Sequence, residues 1–247
     1  MRWARGWLLL ACLAAAGCLP AATPAPVESV ARPSATPTTR PSPVPATSTA
    51  VPTATLAPAE REFTQEFDSG LPYWVFLQAG AARDPLTPMA TGGALRLELT
   101  APYDWVYALY EAHLYADVRV EARVEFEAAG EVSAGVICRY DPALGWYEFN
   151  IHADQTYALL FGQWLEEGIA RYTPLAVSRS EEITPTENEI SLECVEDKLT
   201  PHINGIQIRT RQEKLHVLTE GKVGVSAASF GSAPLGVSYD WIRVGTP

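Results

Sequence analysis

The sequence is short of positive charge. Against 29 Asp and Glu stand 18 Lys and Arg, a formal net charge of −11 over 247 residues. Nucleic acid calls for basic patches, so this balance argues against it as a partner. There is no Gly-x-Ser-x-Gly elbow, no phosphate-binding loop and no Asn-x-Ser/Thr sequon. Acyl transfer at such an elbow, nucleotide binding at such a loop and N-glycosylation are set aside with them. The four histidines, His113, His152, His202 and His216, are scattered, and no metal-ligand spacing emerges from them or from the cysteines. Beyond the N-terminus, no apolar run reaches the roughly 20 residues that a helix needs to cross a bilayer.

What is present changes along the chain. Arg2 and Arg5 precede a short apolar run from Trp7 to Ala16, and small residues follow at Ala14, Ala15, Ala16 and Gly17 before Cys18. A charged start, an apolar core and a small-residue cleavage site make an export signal. The stretch Ala15-Ala16-Gly17-Cys18 resembles the lipobox of bacterial lipoproteins, which implies cleavage at 1–17 and lipidation of Cys18; the alternative is plain secretion after an Ala-x-Ala site. Several acyl chains on one cysteine suffice for anchoring, at about 0.8 kcal/mol per buried CH₂. The expected location is the outer face of a bacterial membrane.

Residues 18–59 read as a tether. Positions 19–59 hold ten of the 20 prolines and eight threonines, with no aromatic residue. Such a stretch cannot bury enough apolar surface to offset chain entropy. Its reach is about 120 Å if extended as polyproline and about 35 Å as a coil. Residues 60–247 hold 14 Lys and Arg against 28 Asp and Glu, and a segment of this size can fold as one domain.

This domain reads as strands. Val118, Val120, Ala122, Val124 and Phe126 alternate with Arg119, Glu121, Arg123 and Glu125, and Leu95, Leu97 and Leu99 alternate with Arg96 and Glu98. Period two of this kind makes one buried and one wet face. Further strands are expected over Tyr73–Gln78, Asp104–Tyr110, Val132–Tyr140, Trp146–His152, Tyr157–Phe161, Ile190–Val195, Gly205–Arg211, Lys222–Ser229 and Val237–Val244. Twelve to fourteen strands with hardly any helical period predict an all-β, two-sheet antiparallel β-sandwich of jelly-roll type.

Glu66-Phe67-Asp68, Gly135 to Tyr140, Trp146 to Ile151, Asn188-x-Ile190-x-Leu192-x-Cys194, Ile203-Asn204-Gly205, Gly221 to Val225 and Val237 to Val244 form an ordered series. The series resembles the concanavalin A-like lectin/glucanase superfamily, near its laminin-G-like and 3-keto-disaccharide hydrolase-like branch, over residues 63–245. The resemblance speaks to fold more than to function. Cys138 and Cys194 are an even pair in an exported domain, on strands that often run side by side in that family. A disulfide is expected, the alternative being two buried thiols.

Glucanases of the laminarinase type carry Glu-x-Asp-x-x-Glu on one strand. Here Glu66-Phe67-Asp68 starts such a match, but Ser69, Gly70 and Leu71 follow. Glu125 and Glu127 share a face with Arg119, Glu121 and Arg123, which reads as a solvated strand face. A polar strip is the stronger candidate. If Tyr147, Phe149 and Ile151 face the core, then Trp146, Glu148, Asn150 and His152 face outward, with Arg139 on the neighbouring strand. Polar side chains beside an exposed Trp suit sugars. Trp105, Tyr107 and Trp164 would add ring surface, against the reading that all of these are ordinary outward residues. No cofactor is implied, and Asp141 and Asp154 are the weak candidates for calcium. The expected function is non-catalytic binding of a glycan or another extracellular ligand by a lipid-anchored protein. A glycoside hydrolase and an adhesion module that binds a protein are the alternatives.

Overall fold

The computed structural model describes residues 58–247, apart from 69, 81–85, 87 and 128–129. The expected leader, the expected lipid site at Cys18 and the expected tether as far as residue 57 lie outside the described residues. Sixteen strands are present among the described residues: β1 (Phe63–Gln65), β2 (Trp74–Gly80), β3 (Met89–Thr91), β4 (Ala94–Leu99), β5 (Asp104–Tyr115), β6 (Val118–Phe126), β7 (Val132–Asp141), β8 (Gly145–His152), β9 (Thr156–Glu166), β10 (Ile169–Arg179), β11 (Glu187–Val195), β12 (Lys198–Ile203), β13 (Ile206–Gln207), β14 (Arg211–Gln212), β15 (Gly221–Ser229) and β16 (Leu235–Gly245). They form two antiparallel sheets. One runs β13-β12-β11-β6-β16-β4-β3, with β1 beside β16 and β14 beside β12; the other runs β10-β9-β8-β7-β15-β5-β2.

The sandwich follows from the alternation. Leu95, Leu97 and Leu99, with Val118, Val120, Ala122 and Val124, are fully buried against Val136, Phe149, Ile151 and Val225 of the facing sheet. On the opposite face of the first sheet, Arg119 pairs with Glu193 at 2.8 Å, Arg123 with Glu189 at 2.5 Å, and Arg243 with Glu121 at 3.1 Å. This is the expected solvated face; such exposed pairs contribute a few tenths of a kcal/mol each. Tyr239 joins the two sheets through the core. Its hydroxyl donates to the carbonyl of Ser226 at 2.6 Å and accepts from the N–H of Gly135 at 3.1 Å.

The strand expectations change in places. Residues 205–211 are not one strand: β13 ends at Gln207 and β14 starts at Arg211. The strands β1, β3, β10 and β12 were not foreseen. In β10 the alternation is broken by Pro174, and its pairing with β9 shifts register at Ile169/Ala170 and at Pro174/Ala176. Cys138 and Cys194 do form the expected disulfide, linking β7 to β11 and hence one sheet to the other. The bridge spans 56 residues. In the chain-entropy account, replacing both cysteines by Ser lowers unfolding free energy by about 4 kcal/mol. Urea denaturation of the oxidised protein and of the double variant checks this.

Candidate functional site

The outer face of the seven-stranded sheet is where the predicted site residues meet. On β8 the core-facing set is Tyr147, Phe149 and Ile151, as expected, so Trp146, Glu148, Asn150 and His152 point away from the main core. The register places Glu148 opposite Ile137 of β7 and Leu160 of β9, and Asn150 opposite Gly135 and Ala158. The remainder of the site comes from β5, β10 and β15.

The sheet is rolled. Tyr107 on β5 and Tyr172 on β10 are separated in strand order by β15, β7, β8 and β9. A flat sheet would hold them about 24 Å apart, at about 4.8 Å per strand. Their hydroxyls are 2.8 Å apart. At the tip of the β9–β10 hairpin, the carbonyl of Gly168 accepts from the N–H of Gly80 at 3.2 Å, so the edge strands β10 and β2 touch.

Rolling gives this face a core of its own. Tyr107, Leu109, Ile137, Tyr140 and Trp146 are buried there, with Leu77, Trp105, Trp164, Ala170 and Tyr172 packed against them. Trp146 lies edge-on to Tyr107 and Tyr172, at 5.6 and 5.8 Å, and tilted against Trp164 at 5.2 Å. Gly162 makes this possible, because a Cβ at that position would sit 2.3 Å from the indole. Trp146 is therefore 0% exposed, and the expectation of an exposed ring is corrected. Its direction was right, but the hairpin covers it.

Glu148 lies beneath these rings, 1% exposed. Its Oε2 accepts from the indole Nε1 of Trp146 at 2.8 Å and from the Tyr172 hydroxyl at 2.9 Å. Its Oε1 accepts from Ser226 Oγ at 2.5 Å. Burial and the nearby carboxylate push the Tyr107 and Tyr172 hydroxyls well above the usual tyrosine range, which keeps both neutral. Asn150 is also buried, pressed against Gly135.

Arg139 is not part of this arrangement. Its backbone is left-handed, with φ 51°, at an irregular stretch where β7 and β8 shift register. That turn sends its side chain to the end of the sandwich. There the guanidinium donates to the carbonyls of Ala116, Glu196 and Leu218 at 2.7–2.8 Å. Desolvation lowers its pKa from the usual arginine value. Its place beside the strip is corrected to a clamp on three loops.

What stays open lies along the rim. Trp105, Tyr172, Ala79, Gly80 and Gly168–Ala170 line a cleft of about 160 Å³. Leu77, Gln78, Tyr140, Trp164 and Glu166–Gly168 line a second of about 370 Å³, on the other side of the hairpin tip. Trp105 continues edge-on to Phe230 at 6.0 Å, and His152 lies 5.3 Å from Phe230. Beside Trp105, Asp104 is buried and its two oxygens accept from Gln78 Nε2 at 3.1 and 3.2 Å. Burial raises the Asp104 pKa. Desolvation lowers that of His152, so its imidazole is held toward the neutral form.

Glu66 and Asp68 are exposed between β1 and β2, near Gly93, away from this face. Asp141 and Asp154 cap separate turns on either side of β8, accepting from Ala143 and Leu144 and from Thr156 respectively. Neither pair is brought together as a site. The reading of the sequence missed Tyr172, Tyr140, Phe230 and Ser226. Ala170 and Tyr172 do alternate, but Pro174 breaks the pattern before a strand is recognisable.

No family model matches the chain, and no curated protein matches it. Solved structures do. A Bacillus subtilis protein of unknown function with a galectin-like fold matches at TM-score 0.55 and 13% identity, over 74% of this chain and 94% of that one. The Bacteroides ovatus mixed linkage glucan GH16 protein, in complex with a G4G4G3G product, matches at 0.55 and 11%, over 74% and 99%. The fold is the concanavalin A-like jelly roll. The laminarinase catalytic domain from Thermotoga maritima shares it at 0.53 and 13%, over 76% and 94%. At such identities the likeness shows the fold alone.

The buried carboxylate sets a test. Glu148→Leu leaves three donors without an acceptor and is expected to cost about 3–5 kcal/mol of stability. Glu148→Gln is expected to cost about 1 kcal/mol or less, because its carbonyl serves Trp146 and Tyr172 while Ser226 turns to accept from the amide. Chemical denaturation of the two variants separates these outcomes.

Proposed function

We propose that this is a lipid-anchored extracytoplasmic protein whose jelly-roll domain binds glycans without cleaving them. The anchor rests on the sequence: the leader, Cys18 and the Pro/Thr tether. Binding is supported by the aromatic rim of Trp105, Tyr172 and Phe230, with His152 and Gln78 beside it. An aromatic face takes the C–H surface of a sugar, and the polar groups take its hydroxyls.

The observation that carries the non-catalytic reading is the state of Glu148. Glycoside hydrolysis of the common kind uses two carboxyl groups flanking the bond, one as acid and the other as base or nucleophile. Glu148 is sealed under Trp146 and Tyr172, bonded by three donors. Along the outward positions of β8 its neighbours are Trp146 and Asn150, not a second acid. This arrangement suits the role of a structural acceptor under the rim.

Polysaccharide affinity electrophoresis and glycan arrays test the reading. The protein is expected to bind at least one glycan class, and Trp105→Ala with His152→Ala to weaken that binding at least tenfold at a temperature where circular dichroism shows the variant still folded, since Trp105 also packs against the second core and its loss lowers stability. Turnover of an oligosaccharide that disappears in Glu148→Gln would replace this proposal by the hydrolase. The anchor is tested separately: Cys18→Ser is expected to move the protein from carbonate-washed membranes to the soluble fraction, and retention would refute lipidation.

A further inference from the structure

The two ends of the sandwich differ, and the difference is not explained by the site on its face. Register places several turns together at one end. Tyr115 pairs with Gly221, Lys222 with Tyr140, Asp141 with Gly145 and Cys194 with Val118. The turn after β5, the turn between β7 and β8, and the 213–220 loop before β15 therefore cluster, and Arg139 ties the first and third through Ala116 and Leu218. Leu114 near the end of β5, Leu144 in the turn between β7 and β8, and Leu215 and Val217 in the loop before β15 project aliphatic side chains into solvent. Leu215 is 83% exposed, more than any other large hydrophobic residue described.

These tips are not slack. Glu213, itself buried, accepts from the N–H groups of Leu215 and His216 at 2.7 and 3.0 Å. The Tyr147 hydroxyl donates to the His216 carbonyl and accepts from the Leu218 N–H. The His216 ring stacks on Phe161 at 4.2 Å. So Leu218 faces in and Leu215 and Val217 face out, fixed by interior groups. Asp141 likewise accepts from the Leu144 N–H at 2.9 Å, and Arg61 donates to the Leu114 carbonyl at 2.9 Å. Backbone groups of Leu114, Leu144 and Leu215, and of the residues flanking Val217, are thus bonded. Bonding of this kind holds the aliphatic side chains pointed outward.

Connectivity points to a partner on the side where the chain emerges; the lysines gather there beside acids such as Glu111, which pairs with Lys222, and Glu220. The chain has three lysines, Lys198, Lys214 and Lys222, and all lie at this end. The turn carboxylates Asp117, Asp141 and Asp197 are used as acceptors for Arg139, Leu144 and Gln212. The described chain also starts here, with the carbonyls of Ala59 and Arg61 held by His113 and Tyr115; 57 further residues precede it.

We propose that this end is a bilayer-docking tip. Leu114, Leu144, Leu215 and Val217 enter the interfacial layer of a lipid membrane, and Lys198 and Lys214 lie at headgroup level with their stems along the apolar surface. The many acids of the domain favour a zwitterionic over an anionic surface. A lipid on Cys18 would make docking an intramolecular step and strengthen it.

The test uses the chain from position 18 onward carrying Cys18→Ser, which lacks both leader and acyl group, sedimented with sucrose-loaded vesicles of phosphatidylcholine alone or with one third phosphatidylglycerol. Binding to phosphatidylcholine is expected, little changed by 0.5 M salt. Leu215→Asp with Val217→Asp is expected to reduce the partition coefficient at least tenfold, with no change in melting temperature because both residues are exposed. Absence of sedimentation at any lipid concentration would overturn the proposal, as would sedimentation that the double variant leaves intact. So would binding seen only on the anionic vesicles, or lipid-free self-association that the double variant abolishes.

Discussion

Taking a carboxylate out of water costs several kcal/mol unless donors replace the water it loses. In this domain that condition falls on Glu148, and meeting it draws in three strands. Trp146 answers from the same strand, Ser226 from β15 and Tyr172 from β10. Tyr172 can reach only if the sheet rolls far enough to bring β10 over β8 and against Tyr107. The roll then seals Trp146 and gives the sheet apolar packing on both faces. A jelly-roll face that is an open groove in principle becomes a second interior, and ligand chemistry is left to its rim. The same rolling explains why the rim is aromatic: the residues that close the cover, Trp105, Trp164 and Tyr172, are the ones left half exposed.

Much of this was legible in the residues. Leu95, Leu97 and Leu99, or Val118 through Phe126, can only make one buried face when extended, and the direction of Trp146, Glu148, Asn150 and His152 followed from their neighbours Tyr147, Phe149 and Ile151. The cysteine pair was legible because the domain holds two of them, an even pair, each in a strand pattern. Exposure was not legible. Period two tells which face of a sheet a side chain takes, not what will be folded onto that face. Trp146 is covered by β10, a strand whose alternation is interrupted by Pro174. Arg139 escaped for a different reason: one left-handed residue in an irregular stretch of pairing swings a side chain away from the face its position would assign.

Arg139 also shows how one buried cation can organise an end of a sandwich. Its guanidinium meets three carbonyls and the carboxylate of Asp117. Carbonyls at loop ends are otherwise hard to satisfy away from water. Next to it the disulfide links the two sheets, so the loops around residues 116, 196 and 218 are held by a covalent tie and a charged one only a residue apart in sequence. The opposite end has no such clamp among the described residues.

Strand β10 is an outer strand with its free side toward solvent over part of its length. Pro174 removes a donor from the strand, its pairing shifts register twice, and Arg171 and Arg179 stand exposed along it. Such an edge refuses a further strand. Molecules of this protein held side by side at high density would therefore find the longest sheet border among the described residues ill suited to further hydrogen bonding.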